Sequence, residues 1–113
     1  MSPSARDWRL YADDIIESCG KIQRFIAGMT FDKFVTDERT RDAVIRNIEV
    51  IGEAAKNLPD EVVVKAPEVE WRKIRGMRNV LAHGYFDLEA KVVWDTATTK
   101  LDNLEKAIRR LLA

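Results

Sequence analysis

The chain contains a single histidine, His83, and two residues that could act with it lie close by in the sequence. Arg78 precedes the histidine by five positions, and Tyr85 follows it by two. An imidazole can take up and release a proton near pH 7 because its unperturbed pKa is about 6.5. A guanidinium can hold a phosphate through two hydrogen bonds. An acid–base group beside a phosphate clamp indicates phosphodiester chemistry, with Arg78 and His83 as the candidate catalytic residues.

The segment that leads into this pair is the most basic in the chain. Residues 72–78 include four cations and no acid, although the whole chain has 19 Lys and Arg against 19 Asp and Glu. This balance excludes a protein that coats nucleic acid non-specifically through bulk positive charge. We therefore expect any contact with RNA to be local and to involve Arg72, Lys73 and Arg75.

The composition fits one compact helical domain over residues 1–113 in a reducing, cytoplasmic environment. The single Cys19 has no partner for an internal disulfide, and one Cys with one His cannot complete a structural zinc site. Nothing else resembles a cage of Asp, Glu and His ligands, so neither a metal nor another cofactor is expected. The first seven residues lack the apolar run of a signal peptide, and no segment has the apolar length of a membrane span.

Apolar residues recur at helical spacing in four segments, and no segment alternates like a strand. The predicted helices run from about Ser4 to Ala27 with Gly28 as the stop, from a cap at Thr36 or Asp37 to Pro59, from about Glu68 to His83, and from Asp87 or Glu89 toward the C-terminal end. Between the second and third, a short helical turn is expected at Asp60 to Lys65. The predicted fold is all-α, an antiparallel up-down four-helix bundle with this short extra turn.

Arg78 interrupts the apolar stripe of the third predicted helix, which otherwise includes Trp71, Ile74 and Leu81. A long cation on such a stripe needs a partner, solvent from a cleft, or a ligand. One interpretation is structural: Arg78 lays its stem over the core and pairs with Glu53 or Glu49. The other is that it binds substrate. The stripe alone favours the structural interpretation.

His83 also has two interpretations. Five residues turn an ideal helix by about 140°, so Arg78 and His83 converge only if the helix ends at His83, where Gly84 permits a break. The histidine could instead cap the helix and interact only with its dipole. Tyr85, beside Phe86, is either an ordinary packed aromatic or a phenol exposed next to the basic segment.

Ribonuclease-type transfer is helped by one group that removes the 2′-hydroxyl proton and another that protonates the departing oxygen. One chain supplies only one imidazole. A two-fold homodimer would bring two copies of His83 and Arg78 to a single groove, and such dimers are the commonest homo-oligomers. We therefore expect a dimer whose groove is lined by the third predicted helix of both copies.

Arg78-x-x-x-x-His83-x-Tyr85 resembles the R-x4-6-H motif of the HEPN superfamily, in the variant with a tyrosine two residues after the histidine. Residues 71–79 and 48–59, the latter containing Gly-Glu-Ala-Ala, resemble the HepT-like branch, and the likeness covers nearly the whole chain. R-x4-H alone is a weak signal, but it becomes strong when joined to Gly-Glu-Ala-Ala, the tyrosine and the four-helix layout.

The resemblance implies a homodimeric, metal-independent endoribonuclease, the toxin of a type VII toxin–antitoxin pair whose partner is a minimal nucleotidyltransferase antitoxin. It implies Arg78 and His83 as the catalytic pair, with Asn79 at the polar position after the arginine. Tyr85 matches the tyrosine that the antitoxin modifies with AMP from ATP. Glu53 and Arg46 are weaker assignments, as residues that support the groove or the dimer.

A hypothesis from another class is that the chain is a non-catalytic helical module that binds a nucleotidyltransferase or a nucleotide. It predicts a stable complex with that partner without RNA cleavage. Growth arrest on expression of the chain alone, relieved by His83→Ala, would favour the enzyme.

Overall fold

The computed structural model describes residues 7–83 and 86–113, with side chains described for residues 7–77 and 90–113. Helices form the regular structure of the described residues, and these contain no strand, so the all-α prediction is confirmed. The helices are α1 (Trp8–Ile26), α2 (Phe31–Thr36), α3 (Glu38–Lys56), α4 (Asp60–Val63), α5 (Trp71–His83), α6 (Phe86–Asp95) and α7 (Leu101–Leu112), with a π-helical turn (Thr96–Lys100) between the last two.

The first helix begins later than its sequence predicted and ends where expected. The Asp7 side chain accepts a hydrogen bond from the Arg9 backbone N–H at 3.0 Å, which makes Asp7 the N-cap and corrects the predicted start near Ser4. After Ile26 the chain leaves the helix, and Gly28 adopts a positive φ of 77°. Glycine reaches this left-handed conformation without steric cost, as predicted for the stop.

Helix α2 was not predicted. The Thr30 hydroxyl accepts a hydrogen bond from the Lys33 backbone N–H at 3.2 Å and so caps its start. Its anchor is Phe34, which is fully buried with its ring centroid 5.2 Å from that of Trp94. A helix of six residues is too short to show periodicity, so long-range packing rather than local pattern stabilises it.

Helix α3 follows its predicted pattern closely. The Asp37 carboxylate caps it by accepting hydrogen bonds from the backbone N–H and the hydroxyl of Thr40, which hold the pKa of Asp37 below its usual value. The predicted stripe is buried in full and consists of Val44, Ile48, Ile51, Ala55 and Leu58. The helix ends at Lys56, with Asn57 as its C-cap, just before Pro59.

The connector contains the predicted helical turn as α4, and the next helix begins at Trp71 rather than near Glu68. The indole N–H of Trp71 donates to the Ala66 carbonyl at 2.9 Å, which fixes the end of the connector. The Glu68 carboxylate pairs with Arg110 of α7, and this hydrogen bond lowers the pKa of Glu68. Glu68 therefore lies outside the first turn of α5, where the sequence had placed it.

The fourth predicted helix corresponds to three consecutive elements, α6, the π-helical turn and α7. They follow one another without a break and begin at Phe86. The π turn contains three threonines, and the Thr98 hydroxyl donates to the Trp94 carbonyl at 2.7 Å. A hydroxyl that bonds back to a carbonyl one turn earlier competes with the backbone N–H and disturbs a helix. The apolar stripe nevertheless stays buried through this turn, at Ala97, Leu101, Leu104 and Ile108.

The core lies where α1 packs against α3 and α7, while α5 packs on α3. The four-helix count and the up-down bundle topology stay predictions. None of the helices in residues 7–83 and 86–113 has both the length and the apolarity needed to cross a membrane.

Candidate functional site

The predicted catalytic residues lie at the C-terminal end of α5. Arg78, Asn79 and His83 belong to this helix, and His83 is its last residue, as the sequence predicted. The side chains of these three residues lie outside the described ones, and Tyr85 lies outside the described residues altogether. The structure therefore defines the helix that carries the motif, α5, and the packing of its first half against the rest of the chain.

The first half of α5 is held firmly against the rest of the chain. Trp71 and Ile74 are buried, as predicted for the inward stripe, and Met77 is buried with them. Met77 was not part of the predicted stripe. This residue immediately precedes Arg78, so apolar packing of α5 extends up to the start of the motif.

Helices α3 and α5 approach each other closely at Gly52. A Cβ atom added to this glycine would lie 3.1 Å from the backbone oxygen of Ile74, closer than an ordinary van der Waals contact. The Gly-Glu-Ala-Ala segment is thus a close-packing patch: Gly52, Ala54 and Ala55 are buried, while Glu53 is exposed.

Arg75, one of the predicted RNA-binding cations, is engaged inside the chain. Its Nε donates to the Ala55 carbonyl at 3.0 Å, and its Nη2 donates to the Leu58 carbonyl at 3.2 Å. Ala55 lies in the last turn of α3, and Leu58 lies two residues after the helix ends at Lys56. The half-buried guanidinium therefore joins α5 to the end of α3.

The other two predicted RNA-binding residues are exposed on α5. Lys73 pairs with Glu70 at 2.7 Å, and this hydrogen bond lowers the pKa of the Glu70 carboxyl. A pair so exposed contributes little to stability and can open for another ligand. Arg72 is exposed and has no hydrogen-bond or ion-pair partner within the described part of the chain, which leaves its charge available to a phosphate.

An open cleft between α1 and α3 is lined by the predicted supporting residues Arg46 and Glu53. Its volume is about 340 Å³, and its lining includes Tyr11 and Asp14 of α1 and Glu49 of α3. Arg46 and Glu49 form an exposed ion pair at 4.0 Å. The residues that line the cleft come from α1, from α3 and from Asn57 at the end of α3.

Sequence reasoning missed Tyr11, Asp14 and Asn57 as members of this cleft. Asn57 donates through its side-chain amide to the Glu53 carbonyl at 2.9 Å, as part of the end of α3. The residues of α1 give no signal in the sequence, because their place in the cleft depends on how α1 packs on α3.

Within residues 7–77 and 90–113, no three or more His, Cys, Asp or Glu side chains are grouped in a way that could hold a metal ion. Cys19 is fully buried on α1, and burial raises the pKa of its thiol to about 12.

Comparison with known proteins gives matches over most of the chain. The family described as "Ribonuclease HepT-like" matches residues 15–111. "Putative RNase MJ0127" of Methanocaldococcus jannaschii is 40% identical over 107 residues, which cover 95% of this chain and 88% of that protein. "Probable ribonuclease HepT" of Thermococcus cleftensis is 36% identical over 106 residues, which cover 94% of this chain and 96% of that protein.

A third relative, "Putative RNase TTE0752" of Caldanaerobacter subterraneus subsp. tengcongensis, is 36% identical over 104 residues, which cover 92% of this chain and 93% of that protein. No solved structure matches the chain significantly. The match to the family spans α1 to α7, and the relatives align over nearly their full lengths. The chain therefore belongs to the HepT-like ribonuclease family.

Proposed function

We propose that this protein is a metal-independent endoribonuclease that acts as the toxin of a type VII toxin–antitoxin pair. The observation that carries the proposal is the R-x4-H-x-Y sequence motif, whose Arg78 and His83 belong to α5, in a chain of the HepT-like ribonuclease family. The relatives' names point to the same activity, since each describes an RNase. Arg78 and His83 are the proposed catalytic residues.

The proposed reaction is an internal transfer within RNA. His83 removes the proton of a 2′-hydroxyl, the 2′-oxygen attacks the adjacent phosphorus, and the bond from phosphorus to the 5′-oxygen breaks. A second imidazole gives its proton to the departing 5′-oxygen, which leaves a 2′,3′-cyclic phosphate and a 5′-hydroxyl end. Arg78 stabilises the additional negative charge that develops on the phosphoryl oxygens, as a preorganised cation does most effectively in a site shielded from water.

The second imidazole is proposed to come from a second copy of the chain. His83 of one protomer then acts as the base, and His83 of the partner subunit acts as the acid. In this arrangement α5 of both copies lines one groove. Asn79, Glu53 and Arg46 would support it, the last two from the cleft between α1 and α3.

RNA is proposed to reach the groove along the exposed face of α5. Arg72 and Lys73 are the cations that this face presents among the residues whose side chains are described. Their contacts would be to phosphate, which positions an RNA strand without reading its sequence. The formal net charge of zero is consistent with such a local contact.

Neutralisation is proposed to occur by AMPylation of Tyr85 by a minimal nucleotidyltransferase antitoxin with ATP. In this transfer the phenol oxygen attacks the α-phosphorus of ATP and pyrophosphate leaves. The added phosphate ester would lie two residues from His83 in the chain. Its negative charge would compete with RNA for the same cations, and its bulk would obstruct the groove.

Expression of the chain alone in a bacterial host tests the proposed toxicity. We expect growth arrest from the wild-type chain and normal growth from His83→Ala at equal protein level. Normal growth with the wild-type chain, together with stable binding to a nucleotidyltransferase, would support the non-catalytic module instead.

A further inference from the structure

The Arg75 side chain reaches from α5 to the end of α3, where it meets two acceptors. The 3.0 Å contact joins its Nε to the Ala55 oxygen, and the 3.2 Å contact joins its Nη2 to the Leu58 oxygen. These carbonyls lie at the negative end of the α3 dipole, which favours a cation. The planar fork of an arginine suits two separate acceptors, whereas a lysine offers one flexible ammonium.

A second contact between the same helices lies one residue earlier on α5. The Gly52 backbone approaches the Ile74 carbonyl so closely that a Cβ would be 3.1 Å from its oxygen. Ile74 and Arg75 are thus both fixed against α3, the first by close backbone packing and the second by hydrogen bonds. Two neighbouring contacts of different kinds restrict both the rotation and the sliding of α5.

The catalytic pair follows directly on the same helix. Arg78 is three residues after Arg75, a rise of about 4.5 Å along a helix. Met77, between them, is buried, so the helical packing continues without interruption from the clamp to the motif. Any rotation of α5 that the Arg75 contacts prevent would be transmitted to the directions of Arg78 and His83.

We propose that Arg75 is a positioning residue of the ribonuclease site, which acts by clamping α5 to the carbonyl end of α3 and not by binding RNA. This inference rests on the proposed function. It also divides the basic segment into two classes. Arg72 and Lys73 are exposed to solvent and bind RNA, whereas Arg75 holds α5 in position.

Steady-state cleavage of a defined RNA distinguishes an arginine that positions the catalytic residues from one that binds RNA. Misplacing a catalytic group by about 1 Å can cost ~10²-fold in rate. We expect Arg75→Ala to lower kcat at least ~10-fold with KM within about two-fold of wild type. Arg75→Lys should recover only part of the loss, although it keeps the charge. An increase in KM with unchanged kcat, restored by lysine, would overturn the proposal.

The salt dependence of RNA binding gives a second readout, measured in the His83→Ala background so that RNA stays intact. Removing a phosphate contact reduces the slope of log K against log salt by about one. We expect this reduction for Arg72→Ala and an unchanged slope for Arg75→Ala. Equal reductions for both variants would show that Arg75 contacts RNA.

Two measurements separate a lost clamp from general destabilisation and from a wrong function. Ile22→Val, in the core on α1, serves as a control that loses stability without touching α5. It should keep the wild-type kcat. Amide hydrogen exchange of residues 78–83, which needs no activity, should quicken in Arg75→Ala and not in Ile22→Val. If the wild type leaves RNA intact, the proposed function fails, but the hydrogen-exchange rates still test whether Arg75 clamps α5. Unchanged exchange of residues 78–83 in Arg75→Ala would overturn the clamp itself.

Discussion

Gly52 of α3 lies against the backbone of Ile74 of α5, so closely that any side chain at position 52 would press on the Ile74 carbonyl oxygen. This contact joins α3, which carries two of the proposed supporting residues, to α5, which carries the motif. On the α3 side, Glu53 follows the glycine and opens into the cleft shared with Arg46. On the α5 side, the helix continues to Arg78 and His83. The distance between α3 and α5 therefore depends on Gly52 having no side chain.

A pair of glycine substitutions tests the importance of this approach. Replacing a mid-helix glycine by alanine stabilises a helix by about 0.5–1 kcal/mol. Gly76→Ala should show this gain, because a Cβ at position 76 has no atom within 4 Å among the neighbours that the structure describes. Gly52→Ala should be less stable than Gly76→Ala, since its Cβ would meet Ile74. Urea unfolding midpoints measure the difference; equal gains would contradict the close approach.

The Cys19 thiol should be inert in the folded protein. Its pKa is raised by burial from 9.0 to about 12, so the reactive thiolate is scarce at neutral pH. We expect no alkylation by iodoacetamide until the chain is unfolded in urea. Mass spectrometry follows the alkylation. Rapid modification of the native protein would show that Cys19 is not buried.

The same shift predicts a pH dependence of stability. The thiol keeps its proton in the folded state to a higher pH than in the unfolded chain. Its contribution to stability is therefore complete below pH 9 and is lost progressively as the pH rises toward about 12. The free energy of unfolding of the wild type should fall more steeply above pH 9 than that of Cys19→Ala. Parallel curves would contradict this assignment.

Tyr85→Phe should uncouple toxicity from neutralisation. Phenylalanine lacks the phenol oxygen that would attack ATP, while His83 and Arg78 remain. We expect this variant to cleave RNA and to gain no AMP mass when incubated with the nucleotidyltransferase antitoxin and ATP. The wild-type chain serves as the positive control. AMP on the Tyr85→Phe variant, seen in intact mass, would place the modification at another residue.

Much of the fold could be predicted from local pattern. The apolar stripe of α3 and its Asp37 cap are encoded by spacing and by a short acceptor side chain, and both are present in the structure. Helix α2 and the start of α5 could not be predicted. Phe34 packs on Trp94, which is distant in sequence, and Glu68 is drawn to Arg110 of α7 instead of joining a helix.

The candidate site was predictable to a similar degree. The motif residues are predicted from their types and spacing alone, and their catalytic roles stay predictions. The role of Arg75 was not visible, because a cation in a basic segment looks the same whether it faces a phosphate or the carbonyls of another helix. The hydrogen bonds of Arg75 to the Ala55 and Leu58 carbonyl oxygens separate these possibilities.

The most direct test of the central claim is cleavage of RNA by the purified chain in EDTA, with wild type and His83→Ala compared at equal concentration. A general acid–base residue contributes about 10²–10⁴-fold to rate. Circular dichroism should show that the variant keeps the helical fold. We expect the wild type to yield 2′,3′-cyclic phosphate ends in EDTA and His83→Ala to lose activity by that factor. Equal cleavage by the two proteins, or abolition of wild-type cleavage by EDTA, would contradict catalysis by His83 without a metal.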